Sequence, residues 1–573
     1  MFDIKKIPFS RYGSFITISP NHHEDGDSPL YLRNIRNGDN EFGEVFRIDI
    51  TFEGSPLPYN AVLLPSMLRL ENTAGFAEFC ITESRVLQIR SHGVGVRLTG
   101  ITGAYDYAVA VEEDRWEVNH SRQEMRYMLT SIKGRLVVDA PFIEQRCEKI
   151  IVDFLPNSDM EEMEGVIEEF TTIYTNRSYS AFTKGHKNVA KEYESWLENT
   201  LEIPDKYAKG KEKAAYITWS CVVPSEGMLT RPAMYMSKNW MTNIWSWDHC
   251  FNALALAKNN PELAWDQFMI FFDLQDESGM LPDFVNNRSA LWNFTKPPIH
   301  GWTLRRMWEQ NDFVIEEKLR EVYQPLEKWT KWWLTFQDSD QDGIPQYNHG
   351  NDSGWDNSTI FHKGTPVESP DLSSFLVIQM EVLSEIACKL GKYDEAKQWM
   401  DESQALLSRV IDHFWEGHNF VAKRSGTHEV IESNSLVLYI PMILGNRLPP
   451  EILNRLVEDI TSRGFLTEYG LATEMPDSPF YRNDGYWRGP IWAPTTLLLV
   501  DGLLSSGKKE AALEVAEKFC AMATKSGMAE NFDALTGTGL RDPAFTWTSS
   551  VFLILGQLLA AESRRVKISK AGC

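Results

Sequence analysis

The chain has 573 residues, with 57 Lys and Arg against 80 Asp and Glu, for a formal net charge of −23. Such acidity repels phosphate backbones and excludes a broad nucleic-acid surface. A 43% hydrophobic content, rich in aromatic residues, excludes a disordered chain and supplies two or three large cores.

The first residues, MFDIKKIPFSRYGSF, carry lysines but no apolar core of a signal peptide, and no stretch is apolar enough to span a membrane. The expectation is a cytoplasmic protein with no membrane partner. Its seven cysteines are scattered, without CxxC pairs or histidines at zinc spacing, which predicts reduced thiols.

Up to about Asn176 the pattern alternates with period two: GSFITI, GEVFRIDITF, RVLQIRS, VGVRLTG, DYAVAVEE, MRYMLTSI, RLVVDA, KIIVDFLP and EEFTTIYT. Alternating runs of this length predict antiparallel strands, and so many of them a β-sandwich over residues 1–176. The polar stretch EEDRWEVNH is open between a loop and an edge strand.

After Asn176 helix periodicity takes over in HKNVAKEYESWLENTL, in the long run from Trp247 to Gln275, in IEEKLREVYQPLEKWTKWWLTFQ, in SSFLVIQMEVLSEIACKL and in later segments including SNSLVLYIPMIL. Twelve helices over 177–573 would allow about 33 residues for each helix and loop, which fits a closed ring of six helical hairpins, an (α/α)6 barrel. An open helical solenoid is the alternative, but no 20–50-residue repeat is visible.

The chemistry is expected on the loops. In DSDQDGIPQYNHGNDSGWDNSTIF, Asp356 follows Gly354 and Trp355 and precedes Asn357, surroundings that favour a protonated carboxyl. Asp352 and Asp371 read equally well as helix caps. In GMAENFDALTGTGLRDPAFTWTSS, Glu530 is a second candidate, open between a facing carboxylate and a first-turn or surface residue. Other loops bring Trp245, Trp247, Trp292, Trp302, Trp487 and Trp492 beside Asp248, Asp283, Arg288, His300 and Arg488. Rings that stack on a pyranose, alternating with groups that bond its hydroxyls, describe a sugar pocket; taken singly, each indole is a core residue.

Asp338, Asp340 and Asp342 form half of a calcium loop, yet His349 stands where the closing Glu is expected, so a helix-ending turn competes with a structural cation. No nucleotide or serine-hydrolase motif is present, and no cofactor is expected.

The DSGWDNS, KPPIHGW, YWRGPIW and GMAENFD segments resemble glycoside hydrolase family 63, the processing α-glucosidases and their bacterial relatives, and more distantly the trehalases. The resemblance spans roughly residues 180–570. It implies an (α/α)6 barrel cleaving an α-glycosidic bond with inversion, Asp356 as general acid and Glu530 as general base. It also implies Trp247, Asp248, Trp355, Asn357, Arg488 and Trp547 around the terminal sugar, joining Trp245, His300, Trp487 and Trp492 of the aromatic loops. The expected activity is that of an exo-acting α-glucosidase on short oligosaccharides or small glycosides; an inverting sugar phosphorylase and a noncatalytic carbohydrate-binding protein are the alternatives. Monomer and homodimer are both open.

Overall fold

The computed structural model describes residues 2–21, 28–158 and 161–571. In the first part of the chain, some strands, such as Ile16–Pro20 and Leu30–Asn34, are buried on both faces, and others alternate. In Glu44–Phe52, Val45, Phe46, Ile48 and Ile50 are buried while Arg47 is exposed.

The strands form two eight-stranded antiparallel sheets. The first runs Phe9–Ser10, Ile16–Pro20, Leu30–Asn34, Glu44–Phe52, Gly95–Gly100, Ile151–Leu155 and Arg135–Asp139, with Ser55–Leu57 on Glu44–Phe52. The second runs Tyr107–Glu112, Arg115–His120, Met125–Lys133, Glu162–Phe170, Val86–His92, Phe76–Glu83, Met67–Glu71 and Asn60–Leu64. The sheets meet closely: a Cβ on Gly165 would lie 2.6 Å from the Phe154 ring. The polar stretch left open above is a strand, Arg115–His120, paired on both sides. The last strand ends at Phe170, inside the EEFTTIYT run, because nothing covers the continuation: Ile173 is 80% exposed.

Beyond it lie twelve α-helices among the described residues: α1 (Phe182–Asn199), α2 (Ala208–Ser220), α3 (Asp248–Leu256), α4 (Pro261–Met269), α5 (His300–Gln310), α6 (Glu316–Phe336), α7 (Pro370–Lys389), α8 (Tyr393–Phe414), α9 (Pro450–Ser462), α10 (Ala493–Ser505), α11 (Lys509–Ser526) and α12 (Thr546–Ala571). Contacts run from α3 to α5, from α5 to α7, through the segment Leu436–Arg447 to α10, then to α12 and back to α3. Outside them, α4 packs on α3, α6 and α8 on α7, α9 on the 436–447 segment, α11 on α10 and α12, and α2 on α12.

Three segments depart from the periodicity. The run from Trp247 to Gln275 is two helices, since Pro261 cannot continue the first and instead opens α4. Leu436–Arg447 is a 3₁₀ segment, with Pro441 removing a backbone donor and Gly445 at φ 55° kinking the chain. The stretch containing His300 and Trp302, expected as loop, opens α5 behind Pro297 and Pro298.

No described helix is long and apolar enough to cross a membrane. The six described cysteines are free; Cys573 lies outside the described residues.

The sheets dock on the loops that precede α3. Arg36 donates to Glu169 at 2.7 Å and to Glu226 at 2.6 Å, while Lys238 donates to the Ser14 carbonyl at 2.5 Å. Arg288 and the Asn287 backbone are held by the Gln123 carbonyl and the Tyr235 hydroxyl.

Candidate active site

Asp356 is presented by a tight turn whose glycines are sterically required. A Cβ on Gly350 would sit 1.9 Å from the Asp356 carbonyl oxygen, and one on Gly354, at φ 71°, would sit 2.6 Å from the Trp247 ring. His349 caps the turn, its Nδ1 accepting from Asn351 N at 3.0 Å, and its own N–H donates to Asp352 at 3.0 Å. Asp352 is thus a capping group, and Asp371, which accepts from the Tyr347 hydroxyl at 2.9 Å, lies in the first turn of α7.

The Asp356 carboxyl is half-buried. Burial raises its pKa, with Lys296 opposing and Asp283 adding to the rise. Lys296, 5% exposed, donates to Asn351 Oδ1 at 2.7 Å and pairs with Asp283 at 3.0 Å. It is the cation around which Asp248, Asp283 and Asp356 gather.

Glu530 lies in the chain's last loop, between α11 and α12, next to the short strand Asn531–Phe532, which pairs with Ile491–Trp492 and Gly539–Leu540. Its carboxyl is 3% exposed and pushed up to about 8, by burial first and then by the Asp542 charge, against Arg541. Asp248, the first residue of α3, is likewise pushed up to about 8 by burial, with Lys296 opposing and Asp283 and Asp356 contributing. Asp248 also acts on Glu530. The half-buried Tyr486 feels all three, its phenol raised well above its usual value by burial and then by Glu530, Asp356 and Asp248. Asp356 and Glu530, 174 positions apart in the sequence, are therefore brought to one site.

An indole wall backs these carboxyls. Trp487 stacks on Trp492 at 4.0 Å between centroids and 6° between planes, and touches Trp355 at 4.8 Å and Trp247 at 6.2 Å. Trp547 meets Trp247 and Trp492 edge-on. All five of these indoles are buried, so they form the floor under the carboxyls and hold one another in place. Trp245, half-buried against Phe284 at 5.9 Å, keeps an accessible surface.

Other expected contacts resolve differently. Asn357 spends its amide on the neighbouring loop, donating to Gly485 O and accepting from Trp487 N, both at 3.0 Å; it fixes the wall. His300 is a correction: it is fully buried among His249, Phe268, Phe272 and Trp329, and its Nδ1 accepts from Trp329 Nε1 at 3.2 Å. Burial holds its pKa well below the usual value, so it is a neutral core residue. Trp302 turns to Asp501 on α10 at 2.8 Å. Arg488 is half-buried beside Trp487, and its buried Nε has no hydrogen-bond partner.

In the acidic loop, His428 lies 3.1 Å from Asp340 and 3.3 Å from Asp342. The carboxylate missing from the loop's own spacing is Glu368, fully buried, whose Oε1 lacks a hydrogen-bond partner. Donor atoms of Asp340, Asp342, Glu368 and His428 all lie within 4.8 Å of one another; Asp338 instead accepts from Gly343 N. A cavity of about 1050 Å³, walled by Tyr12, Trp196 and Phe313, shares no residue with the carboxyl cluster.

Residues 241–548 match the family model described as the mannosylglycerate hydrolase MGH1-like glycoside hydrolase domain, more than half of the chain and all of the carboxyls above. The chain belongs to this family. It is a glycoside hydrolase of family 63. A glucosylglycerate hydrolase of Mycolicibacterium hassiacum is 21% identical over 54% of this chain and 91% of its own length. The family 63 mannosylglycerate hydrolase of Thermus thermophilus, solved with Tris, superposes with a TM-score of 0.53 at 20% identity, covering 60% of this chain and 98% of that one. A bacterial glucoamylase solved with acarbose superposes with a TM-score of 0.61 at 13% identity over 97% of this chain and 94% of its own, so the fold likeness extends through the sheets.

Lys296, Asp542 and Tyr486 are the site residues that sequence reasoning missed. Lys296 stood inside the quoted KPPIHGW segment, and a lysine flanked by prolines and aromatics was the available signal.

Proposed function

We propose that this glycoside hydrolase removes a terminal α-glucosyl or α-mannosyl unit from a small glycoside, with inversion, Asp356 giving a proton to the leaving oxygen and Glu530 taking one from water. The observation that carries the reading is the convergence of Asp356, Glu530 and Asp248 on Tyr486, all with pKa values raised by burial. The reading places the site on an (α/α)6 barrel at 177–573, behind a β-sandwich at 1–176; the closed circuit of helix contacts supports the barrel.

An inverting reaction needs the two carboxyls in opposite protonation states, with water between base and anomeric carbon and no covalent intermediate. Written this way, the reaction uses only side chains and water as its proton-transfer groups. The active form pairs an ionised Glu530 with a protonated Asp356, giving a bell-shaped pH profile whose limbs belong to the coupled pair.

The relatives' names point to glycerate as the aglycone, and glycerate is an acid. Arg488, half-buried beside the wall and acting also on the buried Glu474, carries the guanidinium suited to receive such a carboxylate. The acidic loop supports a structural cation at Asp340, Asp342 and Glu368, outside the reaction; a calcium titration that leaves the melting temperature unchanged would refute it.

The test is hydrolysis of α-glucosylglycerate, α-mannosylglycerate and simple α-glucosides, followed by NMR. The expected first product is the β-anomer, formed without need of phosphate. Retention of the α-configuration, or turnover that depends on phosphate, would overturn the mechanism.

A further inference from the structure

A line of buried hydrogen bonds runs from the first sheet to the backbone of Glu530. The Glu530 N–H donates to the Asp542 carbonyl at 2.7 Å, and the Asp542 backbone returns a hydrogen bond to the Glu530 carboxyl. Asp542 Oδ1 accepts from Ala544 N at 3.0 Å and from Asn239 Nδ2 at 2.9 Å. The same Asn239 amide donates to the Lys6 carbonyl at 3.0 Å, and the Asn239 carbonyl accepts from Arg33 Nη2 at 2.5 Å. Arg33, on the strand Leu30–Asn34, is itself fixed by the carbonyls of Phe42 at 2.7 Å and Lys238 at 3.0 Å and by Ser19 Oγ at 2.9 Å. Arg33, Asn239 and Asp542 are essentially inaccessible.

Joining two bodies does not require such groups. An apolar interface of the same shape would avoid their desolvation, which for buried charges amounts to several kcal/mol per ion. What an apolar interface lacks is a fixed charge and a fixed hydrogen-bond register beside Glu530.

We propose that Asn239 and Asp542 are positioning residues through which the N-terminal sheet holds Glu530 in place for water activation. The proposal rests on reading Glu530 as the base. The charged and titratable groups that face Glu530 are Asp542, Arg541, Asp248 and Tyr486. Those that face Asp542 are Arg33, Cys221 and Glu530, with Lys238 beside Cys221.

These groups give two variants opposite signatures. The Asp542 charge disfavours loss of the Glu530 proton, so Asp542→Asn moves the limb of the kcat/KM profile that Glu530 sets to lower pH, by about one unit. Asn239→Leu and Arg33→Met leave the Asp542 charge less compensated and move that limb to higher pH. Asn239→Leu also lowers kcat roughly 10-fold with KM near the parent value, because misplacement of the base affects the reacting step. Arg33→Lys keeps the charge and restores most of the shift.

The experiment records kcat/KM against pH on whichever of α-glucosylglycerate and α-mannosylglycerate is hydrolysed faster, for the full chain, these four variants and Glu530→Gln, with circular dichroism to confirm folding. Opposite shifts in Asp542→Asn and Asn239→Leu are expected. Should Asp542→Asn not fold, the Arg33→Met and Arg33→Lys pair carries the test from outside the helical unit. Coincident limbs in folded variants, beside an inactive Glu530→Gln, overturn this inference alone; an active Glu530→Gln overturns the assignment of the base itself.

Discussion

The molecule contains two buried charge clusters built on opposite terms. At the junction of sheets and helices, Arg36 gives 2.8 and 2.7 Å hydrogen bonds to the two oxygens of Glu169 and a 2.6 Å bond to Glu226, which Arg85 meets at 2.7 Å. Two carboxylates face two guanidiniums. Burial works against the Glu226 charge, yet the Arg36 hydrogen bond and charge hold its carboxyl below the usual range. In the site, Asp248, Asp283 and Asp356 share the single Lys296, while Glu530 has Arg541 on one side and Asp542 against it. In the junction cluster two carboxylates are matched by two guanidiniums; in the site the carboxyls are left short of cations, and the protons of Asp248, Asp356 and Glu530 become available to chemistry.

The sharpest way to break this contrast is to neutralise the under-compensated groups. Asp356→Asn and Glu530→Gln are expected to lose roughly 10²–10⁴-fold in kcat, about 3–5 kcal/mol of barrier, without loss of fold. Near-normal turnover in either purified variant would remove that residue from the reaction.

The matched cluster should behave in the reverse way. Arg36→Met leaves Glu169 buried without its bidentate partner, which costs about 3–5 kcal/mol of stability, measured by denaturant unfolding. A stability unchanged from the parent would show that the junction is not held by this pair.

A smaller effect is expected at Lys296. Its charge favours the ionised forms of Asp356 and Asp248, so Lys296→Met moves the limb of the activity profile that Asp356 sets to higher pH by about one unit. A profile with neither limb moved would mean that another group supplies the proton.

These contrasts were unevenly legible in the sequence. Strands such as Glu44–Phe52 and Ile151–Leu155 were readable because their burial alternates, and the amphipathic helices α6, α8 and α9 because one face of each is buried. Helix α2 was not, since most of its second half is buried on all sides and no polar stripe marks it. Asp356 and Glu530 were legible because short motifs carry them, glycines and all. Lys296 and Asp542 were not, because their importance lies in what the fold brings to them: Asn351 and Asp283 to the lysine, Asn239 and Glu530 to the aspartate. His300 was misplaced for the same reason. Its neighbours in sequence suggested a polar loop, whereas its neighbours in space are aromatic rings of α4 and α6 and the turn after α4.

The under-compensated carboxyls also make a thermodynamic prediction that needs no substrate. Glu530 has an ordinary value of 4.5 when unfolded and about 8 in the fold, so the folded state binds its proton more tightly. Its contribution to stability is then fully present below pH 4.5 and is lost as pH rises through 8, a change of at most about 5 kcal/mol. Glu530→Gln carries no such proton. Its stability relative to the parent should therefore rise between about pH 5 and about pH 8.5, so that the inactive variant becomes the more robust protein at the alkaline end. The Arg36 cluster supplies the control, because Arg36→Met lacks this gain. Parallel stability curves for parent and Glu530→Gln over that range would show that the fold does not hold the Glu530 proton, and the contrast between the two clusters would fail at its central residue.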